Sequence, residues 1–325
     1  MQISQTKDRY VLITPARNEQ AFLERTIEGV LSQSVKPLRW IIVDDRSSDN
    51  TAQIVSSHLL SCDFLRLLKI TDSGGRHFGH KANAFNAAVR SLSDCDYEFI
   101  GNLDADIALP PQYYERVLAK FESDPTLGLA GGSVETKLRN GFVSLMVAPD
   151  SVSGAVQLFR RACFEQIGGG YLALERGGID AAAEVVTRMK GWRVRSFQEI
   201  TVRENRYMGT ANHRFLRSRM NEGARFHSLG YDTTFFLLRA IYRMKSKPYV
   251  IGSLGALIGF LAARLRREPI ALSSEVVAYL QNEQRTKLKM KLAKVLPFFQ
   301  RAKTEQLEVQ RNQATGLVEK VVRKG

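Results

Sequence analysis

The amino-acid sequence predicts an α/β protein, a mostly parallel sheet covered by helices, followed by a mainly helical, basic C-terminal region. Three observations carry this expectation. Apolar runs rich in β-branched residues alternate with helical-period segments from residue 10 to about residue 205. Polar and acidic residues gather where several of those runs end. Near Met208 the alternation stops and only helical periodicity continues. Parallel sheets of this kind bind ligands outside the carboxyl ends of their strands.

The elements follow in order. "RYVLITPA" reads as a buried strand that stops at a proline, and Phe22, Leu23, Ile27, Val30 and Leu31 then recur at helical spacing. "RWIIVDD" is a second strand, and "SSDNTAQIVSSHL" a helix with Asp49 placed to cap it. "DFLRLLKI", the Ala-rich "HKANAFNAAVRSL" and "YEFIGNLDAD" read as strand, helix and strand. A helix opening at Pro110 or Pro111 leads to a further strand, "LGLAGGSVET". "NGFVSLMVAPDSVSG" reads as an acceptor-facing loop. "LFRRACFEQIGGGYL" reads as a helix stopped by glycines, and "GGIDAAAEVVTRMKGWRVRSF" as turn, helix and strand. The expected organisation is one domain over residues 1–210 and a helical region over 211–325.

Bulk properties narrow the function classes. An apolar content of 44% with 25% charged residues is that of a folded globular chain, not of a disordered one. Cys62, Cys95 and Cys163 form neither a disulfide framework nor a Cys-x-x-Cys metal knuckle, which fits a reducing compartment. The first residues show no secretory-signal pattern, so a cytoplasmic catalytic body is expected. Of the net +14, +11 falls between Ala240 and Gly325, where 17 basic residues stand against 6 acidic ones. Such asymmetry points to an anionic partner, although a solvated basic helix has the same composition.

The acids at the strand ends are the candidates for chemistry. Asp104 and Asp106 follow the fourth strand one residue apart, and alternation along a strand would send both to one face, where a cation must separate them. Oxygen ligands in this setting suit Mg²⁺ or Mn²⁺ bridging substrate phosphates, and solvated aspartates capping a turn are the plainer reading. The five histidines show no metal-ligand spacing, though His77 and His80 flank the loop before Lys81. "DSGGRHFGHK" lacks the ending of a P-loop.

Taken together, "VLITPARNEQAFLERTIEGVLSQSVKPLRWIIVDDRSSDNTAQIV", "GHKANAFNAA" and "LDAD" closely resemble the family 2 glycosyltransferases with the GT-A, Rossmann-like nucleotide-sugar fold, over roughly residues 10 to 205. The resemblance implies transfer of a sugar from a nucleotide diphosphate donor to an acceptor hydroxyl with inversion. It implies that Pro15, Arg17 and Glu19 hold the nucleoside, that Asp44 accepts from the base, and that Asp45 orients the loop. Lys81 and Asn83 would touch diphosphate or donor sugar. Asp104 would face ribose and metal, and Asp106 would be the direct ligand.

The family's base usually comes from a Glu-Asp pair opening a helix, followed by Arg and then Gly-aromatic. Here Arg188, Gly191 and Trp192 keep the pattern, Ile179 replaces the Glu, and Asp180 stands where the Asp does. Asp180 is the first candidate base and Glu184, one helical turn on, the second; a helix-capping Asp would look the same. The family often completes its metal shell with a His, absent from "TVRENRYMGT", so Glu204 or Asn205 would substitute and Arg206 would pair with phosphate.

"PYVIGSLGALIGFLAA" runs 16 residues without a charge. As a helix it reaches about 24 Å, short of the ~30 Å hydrocarbon core. With Arg264, Arg266 and Arg267 behind it and "TFFLLRAIY" before it, it reads as an interfacial helix or hairpin on an anionic membrane surface; a helix buried under the catalytic domain or at a subunit contact is the alternative.

The function expected is therefore a metal-dependent inverting glycosyltransferase at the inner membrane face, acting on a cell-surface glycan or lipid-linked acceptor. An aspartate-nucleophile phosphotransferase using Asp104 and Asp106 is the alternative, weakened by Ala108 where Thr or Val is expected and by leaving "TPARNE" and "VDDRSSDNT" unexplained. A nucleic-acid-binding role has only the net charge behind it, with no base-reading motif.

Overall fold

The computed structural model describes residues 9–71, 79–138, 141–144, 148–207, 212–244 and 249–293. The chain opens with β1 (Tyr10–Ala16), α1 (Leu23–Leu31), β2 (Arg39–Asp45), α2 (Thr51–His58), β3 (Leu65–Ile70), α3 (Gly79–Arg90) and β4 (Phe99–Asn102). It continues through β5 (Ile107–Ala108), α4 (Tyr113–Ser123), β6 (Leu127–Leu138), β7 (Gly141–Ser144), β8 (Leu158–Arg160), α5 (Arg161–Gln166), α6 (Ile179–Met189) and β9 (Arg193–Tyr207). Helices α7 (Asn212–Ser228), α8 (Thr233–Arg243) and α9 (Tyr249–Leu265) follow, and a last helix, α10, covers 274–293.

The strands form one nine-stranded sheet in the order β3-β2-β1-β4-β8-β6-β9-β5, with β7 paired to β6. Within β3-β2-β1-β4 every pairing is parallel, as the alternation of strands and helices requires. Beyond β4 the sheet is mixed: β8 runs antiparallel to both β4 and β6, while β6 and β9 are parallel. The sequence reading missed β8, because Leu158–Arg160 runs straight into α5 without a turn signal. It also took as loop the segment that holds β7, whose exposed residues carry no burial pattern.

Alternation along the strands builds both faces of the core. Tyr10 and Leu12 of β1, with Trp40 and Ile42 of β2, point to the side of α1 and α4, where Leu23, Ile27 and Val117 cover them. Val11, Ile13, Ile41 and Val43 point to the other side and pack on Ala82, Phe85 and Ala88 of α3. Each buried Leu or Ile of this kind contributes about 1.5–3 kcal/mol. Trp40 donates its indole N–H to Thr14 Oγ1 at 2.9 Å, so the polar atom it carries into that layer is satisfied.

The helical region is seated on α6. Ala182 and Val185 of α6 join Leu229, Leu272, Val276 and Leu280 in a third apolar cluster. Asp232 caps α8 by accepting from the Phe235 N–H at 3.1 Å. Helices α7 and α9 touch backbone to backbone: a Cβ on Gly223 would lie 1.8 Å from the Ala256 carbonyl oxygen, so only glycine fits. The expected domain limit at residue 210 and the basic stretch from residue 294 lie outside the described residues.

Candidate active site

The loops leaving β1 and β2 are tied to each other before they meet any ligand. Parallel pairing sets Ala16 beside Asp44. Beyond that point Asn18 takes φ 56° and accepts from the Ser48 N–H at 2.8 Å, Ser47 Oγ accepts from the Asn18 N–H at 3.0 Å, and Thr51 Oγ1 accepts from the Glu19 N–H at 2.8 Å. Asp44 is buried and accepts from the Ser47 N–H at 3.1 Å. Asp45 receives Arg46 at 2.9 Å and Arg17 at 3.8 Å, which gives it the loop-holding role. Asp49 accepts from the Thr51 N–H at 3.0 Å at the start of α2, where Asn50, at the N-cap position, makes no side-chain capping bond.

Asp104 and Asp106 do not sit on a strand. They occupy the turn between β4 and β5, so alternation does not set their direction. Each meets its own cation. Asp104 Oδ1 accepts from Lys81 Nζ at 2.5 Å and from Asn102 Nδ2 at 2.9 Å. Asp106 Oδ2 accepts from Arg206 Nε at 2.8 Å, and Arg206 Nη2 reaches Glu19 at 2.6 Å. Pairing of β5 with β9 sets Ile107 opposite Glu204, and this brings Glu204 and Arg206 to the aspartates. Arg206, expected to meet phosphate, is thus tied to two carboxylates, because β9 delivers it between the β1 loop and the Asp-x-Asp turn.

The charges in this group strain one another. Desolvation pushes the Glu19 carboxyl up to about 7, with Asp106 and Asp104 adding to the rise and Arg206 opposing it. Glu204 is raised by burial, with Asp106 and Asp104 again adding, against its hydrogen bond from Thr136 Oγ1 at 2.9 Å. Desolvation alone would lower Lys81; Asp104 outweighs it by charge and hydrogen bond, so the ammonium is held above its ordinary value. Four carboxylates stand here against two cations.

Asp180 opens α6. Gly178 precedes the helix at φ 87° and Gly177 at φ 78°, a left-handed pair that turns the chain sharply into it. The carboxylate therefore lies in the first turn, among unpaired helix N–H groups. Gly154 comes so near that a Cβ there would sit 2.9 Å from Asp180 Cβ and Oδ2. Glu184 is different. It is buried, Oε1 accepts from the Val152 N–H at 2.7 Å and from Ser151 Oγ at 3.0 Å, and Oε2 lies 3.8 Å from Arg188. Desolvation pushes its carboxyl up to about 8, against those bonds and Arg188. Its atoms are engaged in holding the 151–154 segment, which argues against its use as a base.

A cavity of about 300 Å³ gathers Lys81, Asn102, Asp104, Asp180 and Glu204 with Tyr171 and Arg225. Asn83 is not among its lining: two residues past Lys81, it is turned roughly 200° round α3 and is exposed. Pro15, Arg17, Glu19, Asp44, Asp106 and Arg206 lie in the adjoining β1, β2 and β9 group, outside this cavity's lining. His77 lies outside the described residues; His80 is 3.1 Å from Arg46. Sequence reasoning missed Asn102, whose Nδ2 links Asp104 to the Gly154 carbonyl and so couples the two acidic loops. Its signal was a polar residue at the end of an apolar strand. It also missed Gln157, which accepts from Tyr171 Oη at 2.6 Å, and Arg225, which comes from α7.

Among the described residues no three His, Cys, Asp or Glu side chains stand together as a ready metal cage. What Asp104 and Asp106 offer is two carboxylates with one oxygen each outside the bonds above, in a group with excess negative charge. That suits a hard dication which keeps waters and takes further oxygens from a diphosphate.

A parallel half-sheet with acidic loops at its strand ends, joined to a mixed half carrying an Asp-x-Asp turn and a helix-opening Asp, defines a GT-A glycosyltransferase. Residues 11–166, just under half of the chain, match the model of Glycosyl transferase family 2. It is similar to the poly-beta-1,6-N-acetyl-D-glucosamine synthase of Staphylococcus aureus strain COL, 24% identical over 197 residues that cover 55% of this chain and 45% of the synthase. The synthase of the same name from Staphylococcus epidermidis is 26% identical over 170 residues, 46% of this chain and 39% of that protein. The chain thus aligns with less than half the length of these relatives. Its fold is similar to that of the mannosyltransferase PcManGT from Pyrobaculum calidifontis in complex with GDP-Man and Mn²⁺, with a TM-score of 0.51 and 18% identity over 89% of this chain and 80% of that one. The family match sets aside the aspartate-nucleophile phosphotransferase.

Proposed function

We propose that the chain is a metal-dependent inverting glycosyltransferase that moves a sugar from a nucleotide diphosphate donor to a hydroxyl of a cell-surface glycan or lipid-linked acceptor. The observation that carries this reading is the one cavity lined by Lys81, Asp104 and Asp180, which sets a cation able to meet a diphosphate beside a candidate base. The nucleoside lies over the β1 and β2 loops, with Pro15, Arg17 and Glu19 around it and Asp44 accepting from the base. Lys81 meets the diphosphate. Asp104 and Asp106, with Glu204 nearby, would hold Mg²⁺ or Mn²⁺, which would neutralise charge on the departing diphosphate. The acceptor oxygen attacks the anomeric carbon, the bond from that carbon to the diphosphate oxygen breaks, and the acceptor's proton passes to an Asp180 carboxylate oxygen.

The C-terminal helices give this catalytic body a membrane-facing side, at the inner face of the cell membrane. Among the described residues no helix is long and apolar enough to cross a membrane. Helix α9 packs one face on α7 and α8, with Phe260 stacked on Phe236 at 4.3 Å, and leaves Val250, Ile251, Leu254, Ile258 and Leu265 exposed. These are spaced along one side of the helix, beside Arg264, Arg266 and Arg267, as in a segment that lies in the headgroup region of an anionic bilayer.

Thermal-shift titration of the full chain with uridine, guanosine and thymidine diphosphates, each with and without Mn²⁺, tests the donor reading. Stabilisation by one nucleotide, increased by the metal and reduced in Asp106→Asn, is expected. No stabilisation by any of the three would overturn it.

A further inference from the structure

A second cavity, about 370 Å³, opens on the far side of Asp180 between α6, α7, α8 and α10. It shares Gly178, Asp180 and Arg225 with the first cavity, so the candidate base stands in the wall between them. Its own wall is aromatic on one side, through Phe226, Tyr231 and Phe235. Acceptors must approach Asp180 from a direction other than the donor's, and among the described residues this cavity offers one.

Its charges are unevenly matched. Glu283 is bound by Arg188 at 2.8 Å, Asp150 by Lys287 at 2.5 Å, and Glu222 by Arg219 at 2.6 Å. Glu184, held toward its protonated form by burial, adds little negative charge. The Asp180 carboxylate, which also lines the cavity, and two guanidiniums, those of Arg225 and Arg239, remain. Among the described residues neither guanidinium makes a hydrogen bond or an ion pair; Arg239 lies over the Phe226 ring at 5.0 Å. Both are only partly exposed. A guanidinium fork with open donors, held on an aromatic face inside a cavity, is matched by a phosphate or a carboxylate.

We infer that this second cavity receives the acceptor and that the acceptor is anionic, its phosphate or carboxylate gripped by Arg225 and Arg239 while a hydroxyl of the same molecule is presented to Asp180. The inference rests on the reading of Asp180 as the base. Arg239 lines only the second cavity and Arg225 lines both, so Arg239 is the discriminating position.

The test is an NMR-monitored titration of the full chain with glucose, glucose 6-phosphate and glucuronate, run with the nucleotide and Mn²⁺ combination chosen by thermal shift so that the donor site is filled. The expected result is binding at least tenfold tighter for one or both charged sugars than for glucose, the tighter of the two naming the anion. In Arg239→Gln that preference falls to within about twofold, Arg239→Lys keeps part of it, and nucleotide affinity is unchanged in both. Equal binding of neutral and charged sugars, or an unaltered preference in Arg239→Gln, would overturn the inference, as would displacement of the charged sugar by added nucleotide. Failure of every nucleotide to bind would strike the donor reading instead.

Discussion

Replacing Glu184 by Gln removes one ionisable proton from the interior and leaves the oxygen that Ser151 and Val152 use. In the folded chain this carboxyl is raised from 4.5 to about 8 by burial, with the Val152 hydrogen bond and Arg188 opposing. A raised acid contributes stability that is fully present below the unfolded value and is lost as pH rises through the folded one. Between those limits the folded chain keeps a proton that the unfolded chain has released, so stability falls by about 1.4 kcal/mol per pH unit. Across the whole interval the loss is about 5 kcal/mol, and above about pH 8 it grows no further. The Gln variant has no such loss at this position. Urea unfolding of both proteins at pH 5, 6, 7, 8 and 9 should therefore show the stability difference moving in favour of Glu184→Gln by several kcal/mol up to pH 8 and then levelling. A difference independent of pH would refute the claim that Glu184 is a buried, proton-retaining strut, and would return it to contention as a base.

Three further predictions follow from the site. Asp180→Asn should keep nucleotide affinity and lower single-turnover transfer by at least about a hundredfold, the usual worth of a positioned base; near-normal transfer would move the role elsewhere. Gly154→Ala inserts a Cβ 2.9 Å from Asp180 Oδ2, so kcat should drop well below normal while nucleotide binding, read by calorimetry, stays within about twofold of normal. Lys81→Met leaves Asp104, among the described residues, with Asn102 as its side-chain hydrogen-bond donor; loss of a charge-assisted contact at a diphosphate should weaken nucleotide binding about tenfold or more. On the membrane-facing side, Ile251→Asp with Ile258→Asp should abolish flotation with anionic vesicles, while thermal unfolding shifts little because both side chains are exposed; equal flotation of the double variant would remove α9 from the contact.

Much of the fold was legible because the relevant information is local. Tyr10 and Leu12 face one way and Val11 and Ile13 the other whatever lies beyond them, so β1 announces a strand covered on both sides. The acids after β1, β2 and β4 could likewise be placed at strand ends, where parallel pairing brings them together. Strand β8 could not be read, since three residues leading straight into a helix carry no period of their own.

The sequence by itself determined the alternation, the two-faced core, the glycine turn into the helix of Asp180, and the polarity of the loops, because each depends on residues a few positions apart. Only the tertiary structure decided the partners. Arg206 meets Glu19 across 187 positions, Arg225 reaches the cavity of Asp104 from a helix beyond the sheet, and Glu184 turns to the 151–154 segment, lining the second cavity and not that of Asp104. Such pairings follow from which surfaces pack against each other, a property of the assembled layers that no spacing along the chain encodes.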